Sequence, residues 1–215
     1  MKPSIHGLYA ITPDELDPRR LTELVARALD GGIDALQFRV KRGVAGQREE
    51  LARSIKALTD AAGVPMIVND DVDLALAIDA AGVHIGRGDG DPVTVRARLG
   101  PDRLLGVSCY DDAERARSML GIADHIGFGS VFASPTKPQA VRAPMSLFGV
   151  ARALGLPAVA IGGIDRTNAH LPIEAGAHAV AVISDLFATP DPSASARLIR
   201  ARVLAAAARR DAAGG

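Results

Sequence analysis

Gln37-Phe38-Arg39-Val40-Lys41 places an amide, a guanidinium and an ammonium at alternate positions. In an extended strand, period two sends Gln37, Arg39 and Lys41 to one side and Phe38 and Val40 to the other, so three donors converge. A row of solvated charges is the other reading of this segment. Asn69-Asp70-Asp71 precedes the helical pattern Val72-Asp73-Leu74-Ala75-Leu76. Helix capping accounts for one such residue, because a single side-chain oxygen satisfies the free amides, yet four polar residues crowd this turn. Gly86-Arg87-Gly88-Asp89-Gly90-Asp91 adds a further carboxylate on a glycine-rich loop. Asp70 and Asp89 together suit a hard cation held through oxygen. Magnesium fits, since it takes one or two carboxylates and fills its other positions with water and substrate phosphate.

Three more clusters point to anions. Phe132-Ala133-Ser134-Pro135-Thr136-Lys137-Pro138 sets two hydroxyls and an ammonium between prolines, and a plain turn explains the prolines but not Lys137. Ala160-Ile161-Gly162-Gly163-Ile164 lets backbone approach a ligand, although a simple turn also uses glycine. Val182-Ile183-Ser184 ends the last apolar run. Two anion sites result, one basic and metal-bridged, one lined by backbone amides. Two phosphorylated small-molecule substrates account for both. Neither Ser108 nor the lone Cys109 has a base next to it in sequence, so no protein nucleophile is expected.

The elements that must position these residues are legible as eight short apolar runs. They are Leu8–Thr12, Ala35–Val40, Pro65–Asn69, Gly82–Gly86, Leu104–Ser108, His125–Gly129, Ala158–Ile161 and Ala179–Ser184. They lack strict alternation, as expected of strands buried on both faces of a parallel sheet. Amphipathic segments separate them; Leu21, Leu24, Val25, Ala28 and Leu29 share one helical face. Eight strand–helix units without a linker predict a single α/β domain over residues 1–215, a (β/α)8 TIM barrel. A doubly wound open sheet is the alternative, and the count of eight favours the barrel. The Ala/Arg-rich tail from Ala201 reads as a frayed helix end over about its last ten residues. In such a barrel the clusters above all follow strand ends, where chemistry gathers. The loops after strands seven and eight form its recurrent phosphate site.

Composition narrows the partners. Lys and Arg number 25 and Asp and Glu 25 among 215 residues, so the chain lacks the positive surplus with which a nucleic-acid binder displaces counterions. Hydrophobic residues make up 48% and aromatics only 3%, so the core must be built from Ala, Val, Leu and Ile. One cysteine allows no intrachain disulfide, and no signal-like or membrane-spanning run is present, which together predict a cytoplasmic protein without a membrane partner. A homo-oligomer stays open.

From Gly7-Leu8-Tyr9-Ala10-Ile11-Thr12 to Ala181-Val182-Ile183-Ser184 the chain resembles the thiamine phosphate synthase family. The family's Gln-x-Arg-x-Lys segment is matched by Gln37, Arg39 and Lys41, its Val-Asn-Asp by Val68-Asn69-Asp70, and its Gly-Val-His-Leu-Gly by Gly82-Val83-His84-Ile85-Gly86 with Asp89 following. The resemblance implies that Gln37, Arg39, Lys41, Asn69, Ser108 and Lys137 hold hydroxymethylpyrimidine diphosphate. It implies Mg²⁺ on Asp70 and Asp89, and thiazole phosphate on Ser134, Thr136, Gly163, Ile183 and Ser184. Arg39, Lys41 and Lys137 are the catalytic cations it implies. Val40, Ala133 and Tyr110 depart from the family pattern, standing for an acidic residue, a proline and a histidine. A thiazole tautomerase of the same superfamily is the nearest rival; there a histidine follows the strand-six glycine, where this chain has Ser130. A non-catalytic phosphate-ligand sensor is the rival from another class.

Overall fold

A computed structural model describes residues 2–15, 17–42, 44–133 and 142–213. Strands β1 (Gly7–Ile11), β2 (Ala35–Phe38), β3 (Met66–Asn69), β4 (Gly82–Ile85), β5 (Leu104–Tyr110), β6 (His125–Phe128), β7 (Ala158–Ile161) and β8 (Ala179–Val182) follow one another around a closed parallel barrel, and β8 pairs with β1. Between and after them come α1 (Pro18–Asp30), α2 (Ala45–Ala61), α3 (Val72–Ala77), α4 (Pro92–Leu99), α5 (Ala113–Ser118), α6 (Ser146–Ala153), α7 (His170–Glu174), α8 (Ser184–Phe187) and α9 (Pro192–Ala213). The expected (β/α)8 TIM barrel is the fold, and the open sheet is excluded by the β1–β8 ladder.

Alternation along each strand splits the apolar residues into two layers. Leu8, Ala10, Leu36, Phe38, Met66, Val68, Val83, Ile85, Leu105 and Val107 face outward and pack with the helices. Tyr9, Ile11, Ala35, Ile67, Leu104, Val159, Ala179 and Ala181 fill the barrel itself. Aliphatic and small side chains suffice because each strand gives the interior only two or three positions.

Aspartates start the helices. Asp17, Asp71, Asp91 and Asp112 cap α1, α3, α4 and α5 by accepting from backbone amides of the first turn. Each such cap contributes about 1 kcal/mol. β2 is shorter than the apolar run through Val40, because side chains take over its ladder. The amide of Arg39 donates to Thr12 Oγ1 at 2.8 Å and that of Lys41 to Asp14 Oδ1 at 2.9 Å. β5 runs on to Tyr110 through an irregularity after Ser108.

The Ala/Arg-rich tail forms the last turns of α9. α9 continues through Ala213, with Val203 and Ala206 buried. Arg210 Nη1 donates to the carbonyl of Ala177 at 2.8 Å and of Ile173 at 3.3 Å, and Arg209 pairs with Glu174 at 2.7 Å. Composition concealed this, since alanine gives little apolar contrast. Truncation after Ala205 is expected to cost about 2 kcal/mol or more in urea unfolding, because it removes buried methyl groups and charge-assisted hydrogen bonds. An unchanged midpoint would mean that these contacts stabilise nothing.

Candidate active site

Gln37 lies on β2 and Arg39 and Lys41 follow its end, and the three sit at different depths. Gln37 is buried inside the barrel, where its Nε2 donates to Tyr9 Oη at 3.1 Å. Burial raises the Tyr9 hydroxyl pKa, with the Gln37 bond opposing, so it stays protonated. The Arg39 side chain is half-buried and has no ion pair or hydrogen bond among the described residues. Lys41 lies further out, and its Nζ sits 3.1 Å from Asp70 Oδ2.

Of the crowded acids at the end of β3, Asp71 is the cap: its Oδ1 accepts from the Leu74 amide at 2.9 Å, and it also pairs with Arg48. Asp70 is left for other work. Its φ of 65° lies in the left-handed region, a conformation non-glycine residues adopt rarely and often at functional sites. The turn is held by the Asp70 amide, which donates to the His84 carbonyl at 2.8 Å. Asp89 reaches the same place from the loop after β4, fixed by the Gly86 amide on its Oδ2 at 2.8 Å. Burial raises the Asp70 carboxyl pKa; Lys41 lowers it, and the neighbouring Asp89 carboxyl adds to the rise. Two acids and one ammonium thus meet at the carboxyl ends of β2 to β4, beside a cleft of about 470 Å³ that Asn69 also lines. Among the described residues, no three His, Cys, Asp or Glu side chains form a ready metal cage.

Ser108 lies inside, on β5. Its Oγ is 3.0 Å from His84 Nε2, and its carbonyl accepts from Arg115 Nε at 2.8 Å. His84 in turn faces His125 on β6. Burial pushes the His84 pKa down to about 4 against the pull of Asp89, and His125 falls well below its ordinary range through burial and the nearby His84. Both shifts favour the neutral rings.

On the far side, Gly162 and Gly163 have φ of 100° and 65°. Their backbone closely approaches the loop after β6: a Cβ on Gly162 would lie 2.1 Å from Ser130 Oγ, and one on Gly163 2.4 Å from the Ala133 carbonyl oxygen. The protein's own chain therefore requires glycine at both positions. Ile183 caps α8 and Ser184 begins it, so β8 ends two residues before the apolar run does. Ser134, Thr136 and Lys137 lie outside the described residues.

Four residues of this site went unmarked as positioners in the sequence. Thr12 and Asp14 hold the backbone of the Arg39–Lys41 segment, and His84 and His125 line the interior. Period two, applied to β4 and β6 as it was to β2, marks both histidines as inward. Nothing local marks Thr12 or Asp14, whose partners lie 27 residues away.

A family profile described as thiamine monophosphate synthase matches residues 8–186. The thiamine-phosphate synthase of Chromobacterium violaceum is 53% identical over 200 residues, covering 93% of this chain and 97% of that protein. The chain belongs to the thiamine monophosphate synthase family. The thiamine-phosphate synthase of Methylobacillus flagellatus is 50% identical over 196 residues, or 91% of this chain and 94% of its own. Among solved structures, a thiamine phosphate pyrophosphorylase from Pyrococcus furiosus superposes with a TM-score of 0.82 at 32% identity, covering 93% of this chain and 96% of that one.

Two of the three departures from the family pattern, Val40 and Tyr110, have local explanations. Val40 is buried with Phe38 in the outer layer. Tyr110 supports the Asp89 loop: its Oη accepts from the Arg87 amide at 3.2 Å, and the Arg87 guanidinium lies 5.0 Å from the ring centre. Cys109 points away from the interior into the outer layer, and burial pushes its thiol up to about 12. With that direction of shift, almost no thiolate exists at pH 8. The folded chain is therefore expected to resist iodoacetamide at pH 8 and the urea-unfolded chain to react fully; rapid alkylation of the folded chain would place Cys109 within reach of solvent.

Proposed function

We propose that this chain joins hydroxymethylpyrimidine diphosphate to thiazole phosphate, or to its carboxylated form, releasing diphosphate and giving thiamine phosphate. It is a transferase in this reading. The observation that carries it is the meeting of Asp70, Asp89 and Lys41 at the carboxyl ends of β2 to β4 in a chain of this family.

The bond from the pyrimidine methylene to the diphosphate oxygen breaks, and the thiazole nitrogen supplies the electron pair for the new carbon–nitrogen bond. With the carboxylated thiazole, carbon dioxide leaves as well. The aminopyrimidine is electron-rich and stabilises positive charge on the methylene, which favours a dissociative path. The barrier then lies in the charge developing on diphosphate, and cations fixed beforehand lower it. Arg39, Lys41 and Lys137 are assigned that task, with Gln37, Asn69 and Ser108 orienting the same substrate. Ser134, Thr136, Gly163, Ile183 and Ser184 are assigned to the thiazole phosphate, which agrees with the position of α8 after β8.

The donors fit magnesium. Asp70 and Asp89 offer hard carboxylate oxygens; burial raises the Asp70 pKa and the neighbouring Asp89 carboxyl adds to it, and a bound cation would offset both. When bound, the ion neutralises charge on the diphosphate. Lys41, already beside Asp70, would then be available to the leaving group. Ser130 donates to the Phe132 carbonyl at 2.7 Å, so nothing there favours the tautomerase reading. Among the described residues no helix is long and apolar enough to cross a membrane. We place the enzyme in the cytoplasm, acting on small molecules and not on nucleic acid.

Incubated with both substrates and Mg²⁺, the purified chain is expected to produce thiamine phosphate and diphosphate in equal amounts. Asp70→Ala should lower turnover at least about 100-fold while thiazole phosphate affinity stays within about twofold. Lys137→Ala should reduce kcat more than it weakens substrate binding. Wild-type turnover undiminished by thorough chelation would contradict the metal assignment, and absence of thiamine phosphate would overturn the reading altogether.

A further inference from the structure

The barrel interior contains a polar chain that the mechanism above leaves unused. His84, Gly106 and His125 are in register across β4, β5 and β6, and Ser108 stands two residues beyond Gly106 on the same face. Gly106 makes the slot. A Cβ there would lie 2.4 Å from His84 Nδ1 and 2.3 Å from His125 Nε2, so only glycine lets the two imidazoles approach across β5. They do so at 3.5 Å, Nδ1 to Nε2, while His84 Nε2 reaches Ser108 Oγ at 3.0 Å. At the other end His125 Nδ1 is buried with no hydrogen-bond partner among the described residues. The Tyr9 ring packs edge-on at 6.2 Å, with its hydroxyl oxygen engaged by Gln37.

That unpartnered nitrogen decides where the protons are. A proton on His125 Nδ1 would bury an unsatisfied N–H, a rarer and costlier defect than an unused lone pair. His125 must then carry its proton on Nε2 and donate to His84 Nδ1. With Nδ1 accepting, His84 carries its own proton on Nε2 and donates to Ser108 Oγ. A cationic ring at either position would require a proton on His125 Nδ1 or set two N–H groups against each other. Every arrangement but one is therefore disfavoured.

We propose that His125 and His84 form a proton-ordered relay that makes Ser108 Oγ accept from His84 and so keeps its hydroxyl proton for donation to an acceptor atom of the pyrimidine diphosphate. The two histidines are positioning residues that act through Ser108, and no proton is transferred. This rests on the assignment of Ser108 to that substrate. The relay also explains the order of residues on β5, where a glycine must precede the serine by two positions for the imidazoles to reach it.

The test begins without substrate. Ring nitrogen NMR spectra of the ¹⁵N-histidine-labelled full chain at neutral pH, assigned with His125→Gln, should show His84 and His125 neutral and protonated on Nε2 alone. A proton on Nδ1 of either ring, or a cationic ring, overturns the proposal. In turnover, His125→Met should raise KM for hydroxymethylpyrimidine diphosphate about tenfold and leave KM for thiazole phosphate within about twofold. His125→Gln, whose amide N–H can replace Nε2–H, should restore most of that loss. Equal KM in wild type, His125→Met and His125→Gln would overturn the relay, as would equal damage to both substrates. Should His125→Met fail to fold, the wild-type spectra and His125→Gln still decide. A chain that makes no thiamine phosphate yet shows the expected spectra would refute the assigned reaction and leave the proton order standing.

Discussion

Closure of a parallel barrel leaves each strand side chain with two choices, the interior or the helix layer, and every feature of this site descends from that constraint. Because β1 and β8 pair, no strand has a free edge, and the sidedness of β2 is locked to that of all the others. Gln37 faces Tyr9 inside while Phe38 and Val40 pack outside. The same rule turns His84 and His125 toward each other and Cys109 away. A one-residue slip in any ladder would exchange donors for aliphatic groups.

Charge is divided along the barrel axis. At the amino ends of the strands, carboxylates are saturated by cations and backbone amides: Asp34 takes three bonds from Arg200 and one from the Leu8 amide, and Asp124 binds Arg96, Lys2 and the Leu105 amide. Those charges hold β1, β5 and α9 in place. At the carboxyl ends, Asp70 and Asp89 are brought against each other, Lys41 pairs with Asp70, and the Arg39 side chain has no partner among the described residues. An overall charge of zero therefore describes a chain whose lower face is internally compensated and whose mouth sets two neighbouring carboxylates beside one ammonium.

Most of this was legible because period two and strand-end position are local properties. β7 spans the expected residues, and β2, β4, β5, β6 and β8 begin where their apolar runs begin. The ends are less legible, since they depend on which partner satisfies each amide. Thr12 and Asp14 stop β2 from a neighbouring segment, and the register shift beside Ser108 lengthens β5. Gly163 was readable as glycine-requiring, but its reason, contact with Phe132 and Ala133, is tertiary. The burial of Ala206 is illegible for a related cause, since α9 packs on the distant elements α7, α1, β1 and α8.

The central claim is that the mouth binds diphosphate through a cation shared by Asp70 and Asp89. Calorimetric titration of inorganic diphosphate into the full chain, with Mg²⁺ and after chelation, tests it without depending on turnover. Affinity should be at least about tenfold higher with Mg²⁺, and that difference should vanish in Asp70→Asn. Equal affinity with and without the ion in the wild-type chain would contradict the account.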